Sequence, residues 1–255
     1  MHSGDVVGPQ RFSSKIAFIT GGATGMGRHF AAALSDEGAQ VVIADIDSET
    51  ATRTAHEIGE SAVALACDIA DRAAVDRAVG EAVKQCGGID ILINNAALHL
   101  KKYSQPFSTL TSDETAGLFE VNVLGVVNCS LACSASMRER GGGAIVNMAS
   151  SAAFTVGTPY GVTKLAVRGL TITFAKELGG DNIRVNAIAP GMVSTENALT
   201  EYTAAELATI RTAQVLKDPI TMDDVTRVAL FLCSEESALV TGETIRVTGG
   251  GWLSI

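Results

Sequence analysis

The stretch KIAFITGGATGMG, from Lys15 to Gly27, decides the fold predicted for this chain. It starts as an apolar run suited to a strand, turns through glycines at positions 21, 25 and 27, and leads into a segment of helical periodicity. Glycines permit a sharp turn and a close backbone approach to a pyrophosphate, whose charge is stabilised by free N–H groups at a helix N-terminus. The stretch therefore predicts a dinucleotide-binding strand, turn and helix, and the alternative is an ordinary tight turn.

The same alternation of short apolar runs and longer helical segments continues towards the C-terminus, as in βαβ units that build a parallel sheet. The predicted strands are Lys15–Thr20, Gln40–Asp45, Ala62–Cys67, Ile89–Asn94, Ala144–Met148, Ile183–Ala189 and Glu243–Val247. The predicted helices are Met26–Glu37, Glu49–Ile58, Arg72–Gln85, Asp113–Arg140, Tyr160–Glu177 and Thr221–Ser234. Strands of near-continuous apolar character suit a sheet covered on both faces, so we expect one α/β domain over residues 15–255 and a flexible N-terminal extension over residues 1–14.

Composition excludes several classes of protein. The chain has 255 residues, of which 47% are hydrophobic and 18% charged, and this balance is typical of a globular chain and not of a disordered or fibrous one. The formal net charge of −9 and the scattered basic residues argue against nucleic acid as a partner. We also expect no membrane span and no secretory signal, and hence a cytoplasmic protein.

The five cysteines are expected to be reduced, because their number is odd and the sequence predicts an intracellular protein. Cys129 and Cys133 lie one helical turn apart, but no histidine or further cysteine accompanies them, so buried apolar packing is favoured over a metal site.

The segment 191–219 interrupts the alternation, since it is long, rich in Thr and Ala, and follows a strand. Ligands of open α/β sheets bind beyond the carboxyl ends of strands, so the segment is predicted to be a substrate lid. The alternative is a surface insertion.

Asp45 ends the second predicted strand, eighteen residues after Gly27, where an acidic side chain is expected to meet the ribose hydroxyls of a bound dinucleotide. A carboxylate there repels the 2′-phosphate of NADP, and neither the turn residues Ala23 and Thr24 nor the following Ile46 supplies a cation for it. The residues therefore predict NAD in preference to NADP. The alternative is that Asp45 only caps the next helix, with Asp47 sharing that task.

Tyr160 and Lys164 lie four residues apart at the start of a predicted helix, which places both side chains on one face. A cation beside a phenol favours the phenolate and lowers the tyrosine pKa, so that the phenol can exchange a proton near neutrality. Such a Tyr and Lys pair is common by chance. Its interpretation as a catalytic pair is supported by the glycine turn earlier in the chain.

With these motifs the sequence resembles the short-chain dehydrogenase/reductase family over Lys15 to about Gly251. The glycine motif of that family resembles Thr20 to Gly27, its Asn-Asn-Ala-Gly resembles Asn94 to Ala97, and its Tyr-x-x-x-Lys resembles Tyr160 to Lys164. Two further segments match family motifs, Arg184 to Thr195 and Val247 to Gly250. The resemblance implies a doubly wound Rossmann fold with a seven-stranded parallel sheet, and hydride transfer between a nicotinamide cofactor and a carbonyl carbon.

The resemblance also implies the role of each catalytic residue. Tyr160 would be the acid/base, Lys164 would assist it and bind the nicotinamide ribose, and Ser150 would hydrogen-bond the substrate oxygen. Asn122 would hold a water that links Lys164 to solvent. Asp68 would meet the adenine, while Ile188, Pro190 and Thr195 would flank the nicotinamide. The full set expected to bind the cofactor is Gly21, Thr24, Gly25, Met26, Gly27, Asp45, Ile46, Cys67, Asp68, Ile69, Asn94, Ala96, Tyr160, Lys164, Pro190, Gly191, Val193 and Thr195.

The sequence departs from the family pattern at two places. Ala97 stands where the family usually has Gly, and the interval from Ser150 to Tyr160 is about three residues shorter than is common. The shortening leaves Ser151 as an alternative to Ser150, and it makes the pocket more open on that side. Phe154, Tyr202 and Trp252 are the aromatic residues placed near that pocket.

The predicted function is NAD-dependent interconversion of a secondary alcohol and a ketone on a small or medium-sized substrate. One alternative is a 3-oxoacyl-carrier-protein reductase that uses NADPH, and another is a non-catalytic nucleotide-binding sensor with the same fold. The resemblance further implies a homotetramer in which Asp113–Arg140 and Tyr160–Glu177 pair across one interface.

Overall fold

A seven-stranded, fully parallel sheet with the strand order β3-β2-β1-β4-β5-β6-β7 forms the centre of the protein. The structure, a computed structural model, describes residues 10–99, 101–194 and 203–251. The strands are β1 Ile16–Thr20, β2 Gln40–Asp45, β3 Ala62–Ala66, β4 Ile91–Asn94, β5 Gly143–Met148, β6 Ile183–Pro190 and β7 Thr244–Val247. The order reverses between β1 and β4, and ligands bind beyond the carboxyl ends of the strands at such a point.

Helices cover both faces of the sheet. They are α1 Gly25–Asp36, α2 Ser48–Ile58, α3 Arg72–Cys86, α4 Ser112–Phe119, α5 Gly125–Glu139, α6 Ala152–Thr155, α7 Pro159–Leu178, α8 Ala204–Thr212 and α9 Met222–Cys233. On one face α1, α2 and α9 bury side chains such as Phe30, Ala51 and Val225 against the sheet. On the other face α3, α5 and α7 bury their apolar stripes, and the doubly wound arrangement predicted above is confirmed.

The predicted strands are confirmed as elements, with small differences at their ends. β3 stops at Ala66, so Cys67 belongs to the turn that follows it. β4 begins at Ile91. The backbone of Asp90 before it still bonds to Ile16 (2.9 Å) and Ala144 (2.9 Å), and its carboxylate accepts from the Ile16 N–H (2.8 Å) and pairs with Arg140 (2.8 Å).

The long helix predicted over Asp113–Arg140 is interrupted. A π-helical turn, Glu120–Leu124, separates α4 from α5 and contains Asn122. Hydrophobic periodicity does not predict such a turn, since the apolar spacing before and after it is helical. π-turns inside α-helices occur frequently at functional sites.

The described part of the expected N-terminal extension is packed on the domain. Phe12 is buried in the core, and its N–H bonds to the Glu37 carbonyl (3.0 Å). Arg11 forms an ion pair with the Glu37 carboxylate (2.5 Å). Folded structure therefore begins before Lys15, the first residue assigned to the domain from the sequence.

The predicted lid segment contains α8, a helix that the sequence analysis did not identify. An isolated parallel bridge between Val193 and Ile220 joins the two ends of the segment. Within the described residues, the stretch Ser112–Glu139 is long enough to cross a membrane and contains an 18-residue window with a mean hydropathy of 1.5, of which 44% is buried in the fold. Length and composition alone are weak evidence for a membrane span.

Candidate active site

The glycine turn after β1 has the backbone conformation that its sequence requires. Gly21 and Gly25 have φ angles of +62° and +53°, a region that L side chains rarely adopt. A Cβ at Gly27 would overlap the carbonyl oxygen of Gly21, whereas the space beside Gly25 is open. The turn is therefore tight between Gly21 and Gly27 and leaves room for a ligand at Gly25.

The N-terminus of α1 is available to an anion. Thr24 precedes the helix without a side-chain capping bond, and the first turn contains no acidic residue. The positive end of the helix dipole and its free N–H groups therefore face the open side of the turn. Met26 in this turn packs against the core. These features fit the pyrophosphate of a dinucleotide cofactor.

Two residues that the sequence analysis did not single out hold this turn in place. The Thr20 hydroxyl accepts hydrogen bonds from the N–H groups of Asn95 (3.0 Å) and Ala96 (3.1 Å). The Asn95 amide donates to the carbonyls of Thr20 (3.0 Å) and Gly21 (2.9 Å). Both residues lie within recognised motifs, but the motif alone does not show which side chains bridge the ends of β1 and β4.

Asp45 lies beside the glycine turn at the end of β2. Its carboxylate accepts hydrogen bonds from the N–H groups of Ala23 (3.0 Å) and Asp47 (3.1 Å). Asp47, and not Asp45, is the N-cap of α2, because its side chain accepts from the Thr50 N–H (3.0 Å). Asp47 thus does the capping that the alternative expected it to share, while Asp45 also bonds to the glycine turn through Ala23, and its role toward the ribose stays a prediction. Ile46 is 74% exposed beside it.

The residues expected around the adenine follow β3. The Asp68 carboxylate accepts from the Ala70 N–H (3.0 Å), and Asn128 of α5 donates to the Ile69 carbonyl (2.9 Å). Cys67 is buried, and burial raises the pKa of its thiol to about 11. Burial therefore disfavours the thiolate, which is the nucleophilic form.

Asn94 differs from its expected position on the cofactor surface, because its side chain is directed into the core. Its amide donates to Asn147 (2.8 Å) on β5 and to Ser130 (3.1 Å) on α5. Asn147 in turn donates to Thr171 (2.9 Å) on α7. The amide pair links the two strand ends to the helix that carries Tyr160, so only the backbone of Asn94 is left to line a cofactor.

The N-terminus of helix α7 is well capped. Thr158 is its N-cap and accepts a bond from the Gly161 N–H (3.1 Å), and Pro159 occupies the first turn. One turn further on, the Lys164 ammonium donates to the Met148 carbonyl (2.7 Å) at the end of β5. Its Nζ lies 5.6 Å from the centre of the Tyr160 ring. The structure thus brings together the phenol and the cation predicted from their spacing.

Lys164 is buried, with 4% of its surface exposed. Burial disfavours the ammonium form and lowers the pKa of Lys164 to about 8. The side chain is still mostly charged at pH 7, next to the phenol.

Asn122 is held in the π-turn by both ends of its amide. Its Oδ1 accepts from the Leu98 N–H (2.7 Å), and its Nδ2 donates to the Leu98 carbonyl (2.9 Å) and the Thr163 hydroxyl (3.1 Å). Thr163 donates in turn to the Tyr160 carbonyl (2.8 Å). The bonds connect Asn122 to the tyrosine-bearing helix through Thr163, a residue that the sequence analysis did not assign to the site.

Ser150 and Ser151 lie between β5 and α6. The Ser150 hydroxyl accepts from the Ala152 N–H (3.2 Å), while the Ser151 backbone N–H donates to the Pro190 carbonyl (2.8 Å). The shortened segment after them forms α6 and a turn at Val156, whose φ is +48°. Ser150 is therefore placed at the strand end, and its role and that of Ser151 stay predictions.

The remaining predicted cofactor residues follow β6. The Gly191 N–H bonds to the Val247 carbonyl (2.9 Å), which fixes the strand end at Pro190, and Val193 forms the bridge to Ile220. Thr195, Tyr202 and Trp252 lie outside the described residues. Among the residues described, no group of three or more His, Cys, Asp and Glu side chains could hold a metal ion. Burial also raises the pKa values of the Cys129 and Cys133 thiols.

A glycine turn and an open helix N-terminus at the switch point of a doubly wound sheet define a nucleotide-binding protein of the Rossmann class. Over residues 21–251 the chain matches the family described as enoyl-(acyl carrier protein) reductase. It is 39% identical to sorbitol dehydrogenase from Cereibacter sphaeroides over 96% of this chain and 100% of that protein. It is 36% identical to galactitol 2-dehydrogenase from Agrobacterium fabrum over 96% of this chain and 100% of that protein.

The structure of 3-ketoacyl-(acyl-carrier-protein) reductase from Brucella melitensis, complexed with NADH, has 33% identity and a TM-score of 0.85, and the match covers 94% of this chain and 98% of that chain. The chain belongs to the short-chain dehydrogenase/reductase family, an oxidoreductase family whose members bind a nicotinamide cofactor.

Proposed function

We propose that the protein is an NAD(H)-dependent oxidoreductase that interconverts a secondary alcohol and a ketone. The observation that carries this proposal is the buried Lys164 ammonium, 5.6 Å from the centre of the Tyr160 ring and beside the carboxyl end of β5. A bound nicotinamide supplies the hydride chemistry. The sorbitol and galactitol 2-dehydrogenase relatives support a small hydroxylated substrate.

The proton of the reaction is assigned to the Tyr160 hydroxyl. The Lys164 ammonium favours the phenolate, so the phenol can give its proton to a carbonyl oxygen or take one from an alcohol near neutral pH. The Ser150 hydroxyl is proposed to donate to the same substrate oxygen, where negative charge develops in the transition state. Asn122 is proposed to hold the water that links Lys164 to solvent.

The preference for NAD over NADP is proposed from Asp45. Its carboxylate lies at the end of β2 beside the Ala23 N–H (3.0 Å), where the adenosine ribose of a bound dinucleotide is expected. A 2′-phosphate at that position meets a like charge, and the exposed Ile46 offers no cation to it.

The first test is titration with NADH and NADPH in parallel, followed by nicotinamide fluorescence. We expect NADH to bind at least tenfold more tightly, a difference of about 1.4 kcal/mol. Asp45→Ser should reduce this preference for NADH, because it weakens NADH binding and relieves the repulsion of NADPH. Asp76→Ser on the exposed face of α3 serves as the control. Equal or tighter binding of NADPH by the parent would contradict the cofactor assignment.

The acyl-carrier reductase remains a second candidate because of the similarity to the Brucella melitensis structure. Tighter binding of NADPH than of NADH, together with turnover of 3-oxoacyl thioesters but not of polyols, would favour this reductase function over the alcohol dehydrogenase.

Tyr160→Phe separates an enzyme from a nucleotide-binding sensor. Loss of the hydroxyl should lower kcat by about 10²- to 10⁴-fold, because the proposed acid/base is then removed. NADH affinity should stay within a few-fold of the parent value, measured by the same fluorescence titration. Unchanged turnover in this variant would exclude Tyr160 as the acid/base, and absence of turnover in the parent with any secondary alcohol would favour the sensor.

The assembly and compartment are also proposals. We propose a homotetramer that pairs the α4–α5 segment and α7 with a second copy, supported by the exposed apolar side chains Leu124, Leu165 and Ile172. A cytoplasmic location is supported by the five free cysteines, four of which are buried.

A further inference from the structure

Two hydrogen bonds, one residue apart on β5, fasten this strand to helix α7. The Met148 carbonyl accepts from the Lys164 ammonium (2.7 Å), and the Asn147 amide donates to the Thr171 hydroxyl (2.9 Å). Lys164 and Thr171 are both buried and lie seven residues apart, so they share the face of α7 that packs on the sheet. The two bonds together resist both rotation and sliding of α7 against β5.

The Met148 carbonyl can accept from Lys164 because β4 ends before it. The register of the sheet makes Asn94 and Asn147 the last pair of β4 and β5. On the other side β6 continues beside Met148, and the N–H of the next residue, Ala149, donates to a β6 carbonyl (2.8 Å). Neighbouring residues of an extended chain direct their backbone groups to opposite sides, so the Met148 carbonyl points past the end of β4. Lys164 thus supplies the bond that a longer β4 would make.

The Asn147 side chain is held by partners on three elements. It is fully buried, and its Oδ1 accepts from the Asn94 amide of β4 (2.8 Å), which also donates to the Ser130 hydroxyl of α5 (3.1 Å). On α7, the Thr171 hydroxyl that accepts from Asn147 donates in turn to the Val167 carbonyl (2.8 Å). Because an unpaired polar group is unfavourable in the core, such a paired network favours one arrangement of the strands and the helix.

We propose that Asn147 is a positioning residue, which holds α7 on β5 where the Lys164 ammonium reaches the Met148 carbonyl. The ammonium then stays 5.6 Å from the centre of the Tyr160 ring. A shift of α7 deprives the ammonium of its acceptor and changes its place beside the phenol, so the phenolate is less favoured. This role rests on the function proposed above, in which Tyr160 transfers the proton.

The test is a titration of the Tyr160 phenol, followed by the ultraviolet absorbance of the phenolate. Each protein is titrated with and without Tyr160→Phe, and the difference isolates this one phenol. Thr171→Val keeps the shape of the side chain but removes the acceptor of the Asn147 amide, so Tyr160 should ionise about half to one pH unit higher than in the parent. Thr171→Ser keeps the hydroxyl and should return the titration to that of the parent.

Thr52→Val on α2 is the matched control. The Thr52 hydroxyl also donates to the carbonyl four residues before it (2.7 Å), but the side chain is exposed and lies on a helix without catalytic residues. Asn147→Leu is a second variant, which removes both bonds of the amide and should move the titration in the same direction as Thr171→Val. A variant that folds poorly is replaced by the other, since each disturbs the same bond between β5 and α7.

Turnover gives a second measurement. In Thr171→Val, kcat for alcohol oxidation near neutral pH should fall about three- to tenfold with KM almost unchanged, because the phenolate fraction falls about tenfold for each pH unit. A titration of Thr171→Val and Asn147→Leu that matches the Thr52→Val control overturns the positioning role, and so does an equal shift in Thr171→Ser. The titration needs no substrate, so a parent that turns over no secondary alcohol contradicts the proposed function while the titration still decides the role of Asn147.

Discussion

At the scale of single residues, Lys164 is a charged side chain whose burial lowers the stability of the fold. The side chain is buried with one hydrogen bond from its ammonium, to the Met148 carbonyl. Its pKa falls from the reference value of 10.5 to about 8, because the charged form has lost most of its contact with water. The folded state therefore binds this proton less tightly than the unfolded state does.

We predict that Lys164→Met increases the free energy of unfolding at pH 6–7 by about 1–3 kcal/mol, after subtraction of the lost hydrogen bond. The penalty of the parent is fully present below about pH 8 and declines as pH rises towards 10.5, so the advantage of the variant should shrink over that interval. Denaturant unfolding at pH 6, 8 and 10 measures it. Lys176→Met, an exposed lysine of the same helix, is the control, and a pH-independent difference for Lys164→Met would contradict the prediction.

The two residues proposed to carry the chemistry were recognisable from their spacing, and the residues that hold them in place were not. The four-residue interval from Tyr160 to Lys164 puts both on one helix face whatever the tertiary structure is. The contacts of Asn94 with Asn147 and of Asn122 with Thr163 join residues that are 53 and 41 positions apart. Nothing in the local sequence indicates these pairs, because they depend on the register of β4 with β5 and on where the π-turn falls.

At the scale of secondary-structure elements, the π-turn and α7 are joined through one threonine hydroxyl. Thr163 accepts from Asn122 (3.1 Å) and donates to the Tyr160 carbonyl (2.8 Å), so it connects the turn to the first turn of α7. The Thr163 side chain is fully buried. We infer that it positions Tyr160 without contacting the substrate.

Thr163→Val should therefore lower kcat about tenfold, which corresponds to the loss of about one hydrogen bond of 1–1.5 kcal/mol. KM should change little, because the side chain does not reach the substrate. Thr163→Ser keeps the hydroxyl and should restore most of the activity, and the pH profile of kcat should shift only in the valine variant. Equal losses in both variants would show that the methyl group and its packing matter, and not the hydroxyl.

Element type was easier to predict than element boundaries. All seven strands follow from apolar runs between turn residues, and the parallel sheet follows from their alternation with helices. The interruption at Glu120–Leu124, the helix α8 and the ends of β3 and β4 were missed. The π-turn leaves no mark on hydrophobic periodicity, because the apolar spacing before and after it is helical.

At the scale of the whole molecule, α7 and the π-turn expose several large apolar side chains to solvent in the single chain. Leu165 and Ile172 lie seven residues apart on α7 and are 41% and 48% exposed, and Leu124 of the π-turn is 52% exposed. Residues seven apart share a helix face, so the two form one stripe. About half of each side chain is still exposed, so its burial against a second copy contributes about 0.7–1.5 kcal/mol.

This stripe makes the proposed tetramer testable without any substrate. Light scattering of the parent should give the mass of four chains, and the double variant Leu165→Glu with Ile172→Glu should give a smaller assembly, since two unpaired carboxylates cannot be buried at a helix–helix contact. Thr52→Glu on the exposed face of α2 adds a carboxylate elsewhere and should leave the mass unchanged. A single-chain mass for the parent would remove the assembly proposal, and an unchanged mass for the double variant would place the interface on another face. Because α7 also carries Tyr160 and Lys164, kcat of the smaller assembly then shows whether a neighbouring copy is needed to hold that helix in place.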